Sequence, residues 1–204
     1  MFCSCTYFTC VRCLYPCLED LPAVGLSPCG FWSESEGSRS LEILKDLLNH
    51  RFIPVIHGDA VIQPPRSLIL SGDALIYHHS LWLKPKLVLF LSNVHGVYDR
   101  PPELEHSEII STVAVDKDGS FKVGNAEKKQ MDLEFTTAKH DTTGGMEAKV
   151  RDAVQIARQG FHVLVTKAGS EAAFRALEDF PQCLKHAQWC GTHFQPSPCA
   201  PIAQ

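Results

Sequence analysis

The chain contains no apolar run long enough to cross a membrane. Its longest runs, around Arg51–Ile56 and Leu87–Leu91, are strand-sized, well short of the ~20-residue helix a bilayer requires. It also lacks any block of one charge. The 19 basic and 23 acidic side chains are interspersed and leave a formal charge of -4, so the electrostatic footprint of a nucleic-acid binder is missing. Cysteine is absent between Cys29 and Cys183, and the total of 9 is odd, which argues against an extracellular disulfide framework and for a reduced, cytoplasmic setting. The GxxxxGK[ST] phosphate loop is lacking as well, so a phosphate site would have to be built another way.

What remains is the composition of an ordinary globular domain, with 45% hydrophobic residues to form a core. The early cysteines, Cys3, Cys5, Cys10, Cys13 and Cys17, include one Cys-x-x-Cys pair. Zinc is the sharp reading of such a cluster, but the spacing is irregular and no second tidy pair follows. Arg12 interrupts the apolar stretch, which also disfavours a secretory signal. Residues 1–20 therefore read as an atypical cysteine-rich leader, and residues 21–204 as the domain proper.

Within that domain, periodicity predicts alternating helices and strands. After the polar segment Ser33–Ser40, Leu41, Leu44, Leu47 and Leu48 recur at helical spacing and can cover a sheet. Phe52–Ile56 follows as a strand ending at His57-Gly58-Asp59, and Ala60–Gln63 with Ser67–Leu70 suggests a hairpin across Pro64-Pro65. Ser71-Gly72-Asp73 opens a helix through about Leu83, with Asp73 as its expected cap. Lys86–Leu91 reads as a strand covered on both faces, Ile109–Val115 as another, and Phe161–Thr166 as a third that leads through Lys167-Ala168-Gly169-Ser170 into a short helix. Asp116–His140 is polar and offers no fixed structure, and the tail after Ala187 is proline-rich. The alternation implies an α/β sandwich with a mainly parallel sheet, whose strand-end loops after Ile56, Leu70, Leu91 and Thr166 form the expected site.

The segment Asp141–Val150 carries the clearest chemistry. Thr143-Gly144-Gly145 allows the backbone to approach an anion closely, the first free N–H groups of the following helix point toward it, and Lys149 adds a mobile positive charge. Met146, Val150, Ala153, Val154 and Ala157 form the expected core stripe, from which Lys149 falls away. Taken alone, the segment reads more readily as an ordinary helix start with a solvated lysine.

Its ordered companions decide the matter. Pro54-Val55-Ile56-His57-Gly58-Asp59, Ser71-Gly72-Asp73, Asn93-Val94-His95-Gly96-Val97-Tyr98-Asp99, Thr143-Gly144-Gly145-Met146 with Lys149, and Gly191-Thr192 together resemble the amino acid kinase superfamily, and within it the isopentenyl phosphate kinases. The resemblance runs from about Leu21 to Thr192. It implies a three-layer αβα kinase that moves the γ-phosphoryl group of ATP, as its Mg2+ complex, onto isopentenyl phosphate. By the same resemblance, Lys149 stabilises charge on the transferring group and Asp73 organises the active-site lysines. Gly58, Asp59, Ser71, Gly72, Thr143, Gly144 and Gly145 fall on the acceptor side. Val94, Gly96, Tyr98, Asp99, Lys167, Gly169 and Lys149 fall on the nucleotide side, and no residue is assigned as a metal ligand. A homodimer is implied as well.

Two departures accompany the resemblance. Asn93 stands where relatives often carry aspartate, and no lysine- and glycine-rich phosphate loop precedes Leu21. A shortened kinase, another small phosphate or carboxylate kinase, and a noncatalytic nucleotide- or partner-binding remnant are thus the alternatives to be weighed.

Overall fold

In a computed structural model, placement is described for residues 21–30, 32, 39–63, 65–100, 102, 104–124, 145–186 and 188–197. The cysteine-rich leader, Thr143 and Gly144 lie outside the described residues. The chain falls into two compact units, residues 1–78 and 79–204, with the boundary inside a helix.

The first described element of the first unit is a strand, β1 (Ala23–Leu26), in a stretch that the sequence pattern left unassigned. A crossover helix, α1 (Arg39–Asn49), returns the chain to β2 (Ile53–Ile56), which pairs parallel with β1 from Ala23↔Ile53 to Leu26↔Ile56. Of the four leucines predicted to face the sheet, Leu41 and Leu44 are buried and Leu47 is half-buried, while Leu48 stays 45% exposed. The buried stripe is therefore narrower than its pattern. Arg51 takes a left-handed φ of 62°, which lets Phe52 N–H reach back to Leu47 O at 2.9 Å and ends the helix.

The expected hairpin forms from β3 (Asp59–Gln63) and β4 (Arg66–Leu70), paired antiparallel. Val61 and Leu70 on its inner face pack with Leu75 of α2 (Gly72–Leu83), with Trp32, Ile56 and Ala74 completing the cluster. At the start of α2, Ser71 Oγ accepts the Ala74 N–H at 3.1 Å, because the hydroxyl sits just ahead of the first turn where that orphan donor points.

The second unit contains a five-stranded sheet in the order β5-β8-β9-β6-β7, formed by β5 (Val88–Ser92), β6 (Thr112–Val115), β7 (Phe121–Gly124), β8 (Val163–Lys167) and β9 (Thr192–Pro196). The sheet is mixed: β5–β8 and β6–β9 are parallel, β8–β9 and β6–β7 antiparallel. Its helices are α3 (Gly145–Arg158) and α4 (Glu171–Asp179), with a short 3-10 helix at Gln182–Lys185.

Strand alternation separates the two faces. Leu89 and Leu164 pair in register and pack with Ala176 of α4 and with Cys183. Phe90 and Val165, also paired, face the other way, and Lys149 of α3 lies over the Phe90 ring. Helices thus cover both sides, which gives the α/β layering the sequence implied. Val163, Leu164 and Val165 are fully buried, a burial worth roughly 1.5–3 kcal/mol for each large apolar side chain.

Besides β1, two strands of this unit were missed by the sequence reading. β7 lies in the polar Asp116–His140 stretch, where Phe121 and Val123 alternate with polar neighbours and Gly119, at φ 91°, closes the hairpin turn. β9 occupies the tail that composition marked as irregular, yet Thr192 and Phe194 have no exposed surface. None of the described helices is long and apolar enough to cross a membrane.

Candidate functional site

In the first unit, the parallel β1–β2 ladder brings two carboxyl-end turns together. Ser27, following β1, donates from Oγ to Asp59 Oδ2 at 2.5 Å, while Asp59 Oδ1 accepts the Ala60 N–H at 2.7 Å. The Ser27 hydroxyl, with help from Ala60 N–H and nearby His57, holds the Asp59 carboxyl below its ordinary pKa. Gly58 is required by close approach: a Cβ there would meet Leu70 O at 2.8 Å and Gly72 N at 3.2 Å. Gly58 thus packs against the Ser71–Gly72 backbone, beside Asp59. Around Gly72 itself the space is open, with no atom within 4 Å of the position a Cβ would take. Asp73 follows in the first turn of α2, half-buried.

In the second unit, the carboxyl ends of β5 and β8 lie side by side, Ser92 opposite Lys167, and Ala168 N–H donates to Ser92 O at 2.8 Å. Two expected nucleotide loops begin here. The first passes through Val94, Gly96 and Tyr98 to Asp99. Gly96 is sterically dictated, since a Cβ would lie 2.8 Å from Thr192 Oγ1 and 3.1 Å from Ile109 Cγ2. The buried Val97 N–H donates to Thr192 Oγ1 at 2.8 Å. Burial raises the Tyr98 phenol pKa, and the neighbouring Cys190 adds to the shift.

Asp99 is 8% exposed and binds within its own loop. Oδ1 accepts the Glu108 N–H at 2.9 Å, and Oδ2 pairs with Arg100 at 3.1 Å. Those bonds fix the loop that closes through the Tyr98↔Ile109 bridge.

The second loop turns at Gly169, whose φ of 71° favours glycine, and enters α4 through Ser170. Ser170 Oγ donates to Lys167 O at 2.7 Å and accepts the Ala173 N–H at 3.2 Å, which holds the exposed Lys167 at the start of the turn.

Lys149 falls outside the buried stripe of α3, which runs through Ala148, Val150, Ala153, Ile156 and Ala157. It is half-buried, with Nζ 6.0 Å from the Phe90 ring centroid. Met146 and Val154 are half-buried at the stripe's margins.

Thr166 and Thr192 were not assigned roles from sequence. Thr166 Oγ1 donates to Cys190 O at 2.9 Å, and Thr192 holds the Gly96–Val97 turn. A threonine following a glycine in a tail gives no local cue that it is a central-strand partner of a loop nearly a hundred residues away.

Glycine-fitted turns at strand ends and helix starts, in a sequence with no P-loop pattern, characterise this α/β fold. The Amino acid kinase family model matches residues 18–167, and the chain belongs to that family. It is 40% identical over 184 residues to an isopentenyl phosphate kinase of Arabidopsis thaliana, covering 85% of this chain and 55% of that protein. An isopentenyl phosphate kinase of Methanothermobacter thermautotrophicus is 32% identical over 150 residues, covering 70% and 52%. The chain thus spans about half the length of these relatives. The fold matches a solved isopentenyl phosphate kinase structure with a TM-score of 0.65 at 21% identity, covering 92% of this chain and 65% of that one.

Proposed function

We propose that this chain carries part or all of an ATP-dependent kinase that converts isopentenyl phosphate to isopentenyl diphosphate. The observation that carries this reading is the placement of Lys149 over Phe90, on the strand pair whose ends start the Val94–Asp99 and Lys167–Gly169 loops.

The residues present fit a nucleotide phosphate. The turn at Gly169 leads into the start of α4, where Ser170 Oγ caps the Ala173 N–H, with the exposed Lys167 beside it. Val94, Gly96, Tyr98, Asp99, Lys167 and Gly169 are assigned to nucleotide binding. Gly58, Asp59, Ser71, Gly72, Thr143, Gly144 and Gly145 are assigned to the acceptor phosphate. Open space at Gly72 lets an anion approach the first N–H groups of α2.

When bound, Mg-ATP supplies the γ-phosphoryl group, and Mg2+ neutralises part of its charge. Lys149 would stabilise charge on the transferring group, and Asp73, in the first unit, is assigned by the resemblance to orient cationic groups. Neither needs to exchange a proton with the acceptor, which is already an anionic oxygen nucleophile.

Incubating the 204-residue chain with Mg-ATP and isopentenyl phosphate tests the reading. Isopentenyl diphosphate should form, and Lys149→Ala should lower the rate by about 10²–10³-fold, the range for loss of one preorganised charge-stabilising group. Turnover of a different small phosphate or carboxylate, with none of isopentenyl phosphate, would replace the acceptor assignment. A folded chain that binds ATP and turns over nothing would favour the noncatalytic reading.

A further inference from the structure

We infer that Thr192 is a positioning residue for nucleotide binding, and that its hydroxyl sets the shape of the Asn93–Asp99 loop from a strand distant in sequence. The inference rests on the assignment of that loop to the nucleotide.

Antiparallel pairing puts the start of β9 at the carboxyl end of β8, Thr192 opposite Val165. The same pairing places Thr192 where the loop leaving β5 passes. Three contacts then lock the two segments. Val97 N–H donates to Thr192 Oγ1 at 2.8 Å, with both residues buried. Gly96 lies against the same oxygen and against the Gly191 backbone so closely that a Cβ would sit 2.8 Å and 3.2 Å from them. Gly191 in turn runs against β8, where a Cβ would come 2.9 Å from Val165 O, and Thr166 Oγ1 fixes the preceding residue through Cys190 O.

The Val97 N–H has no solvent to turn to, so removal of the Thr192 acceptor leaves a buried donor unpaired. The loop must then shift to satisfy it. Val94 and Tyr98 flank the Gly96–Val97 turn, so this shift displaces the side chains assigned to the nucleotide. Thr192 has no exposed surface and does not itself touch a ligand. Its effect passes through the loop backbone.

The test uses the full chain with Thr192→Val, which keeps the shape and removes the acceptor, and Thr192→Ser, which keeps the acceptor. Mg-ATP affinity is measured by calorimetry and Val97 amide exchange by NMR. Thr192→Val should weaken ATP binding about tenfold and accelerate exchange at Val97, while Thr192→Ser stays within about twofold of the parent in both. ATP affinity unchanged in a folded Thr192→Val chain would overturn the inference. So would equal weakening in both variants, since that would track strand packing rather than the hydroxyl. A parent chain that binds no Mg-ATP would sink the nucleotide assignment itself, and this inference with it. If Thr192→Val does not fold, Gly96→Ala probes the contact from the loop side; unaltered ATP affinity there is equally fatal.

Discussion

At the scale of single residues, the glycines divide into those the fold needs and those it merely permits. Gly58→Ala puts a methyl group 2.8 Å from Leu70 O, on backbone that has little freedom to yield. It should destabilise the chain by about 1–3 kcal/mol, measured as a lower urea midpoint. Gly72→Ala meets nothing within 4 Å, so its urea midpoint should match or exceed the parent's, while any affinity for an acceptor phosphate falls because the methyl group occupies the anion's approach. A histidine pair with one buried member, His193, gives a pH prediction. His193 Nε2 and His162 Nδ1 lie 3.0 Å apart, and burial, reinforced by His162, lowers the His193 pKa from 6.5 to about 4. Between those values the unfolded chain binds the proton and the folded chain does not. Stability is therefore fully present above pH 6.5 and is lost as the pH falls toward 4, by on the order of 3 kcal/mol in all. Urea titrations at pH 7.5 and 5 should show the loss, and His193→Gln should flatten it; identical pH slopes would refute the assignment.

At the scale of elements, α4 illustrates how a short helix is held. Its nine residues are too few to be stable alone, so it depends on Ala172, Ala173 and Ala176 against the sheet and on the Ser170 cap. Ser170→Ala should cost about 1 kcal/mol by loss of the cap and loosen the Lys167–Gly169 turn, visible as a lower thermal midpoint. The same helix was legible in the sequence because its alanines recur at helical spacing behind a serine. So were α1, the β3–β4 hairpin, and β5 and β8, whose runs are apolar enough to be buried from both sides. β1, β7 and β9 were not, because four- or five-residue strands amid proline, glycine and charge owe their conformation to partners rather than to local preference. For the site, strand-end glycines and Lys149 could be read from the chain. The Ser71 cap, the Ser27–Asp59 bond and the Thr192 anchor could not, since each joins a hydroxyl to a neighbour chosen by geometry or by long-range pairing.

At the scale of the whole molecule, the second unit depends on a strand that comes late in the chain. β9 lies between β8 and β6 and is the partner through which the β5–β8 pair joins the β6–β7 hairpin. Deleting residues 189–204 should therefore abolish the cooperative unfolding transition, leaving a shallow denaturation curve and strong binding of a hydrophobic dye; a sharp transition would contradict the strand order. That order also constrains how the unit assembles. β6 precedes β9 by about eighty residues, and no direct pairing to β8 can hold it in place meanwhile. Two fragments must wait, each with an unpaired edge, for the segment that joins them, so closing the sheet is a long-range event of the kind that slows folding. The interval before β9 arrives is when these edges can pair with another molecule, and yield in a crowded cell depends on how briefly that interval lasts.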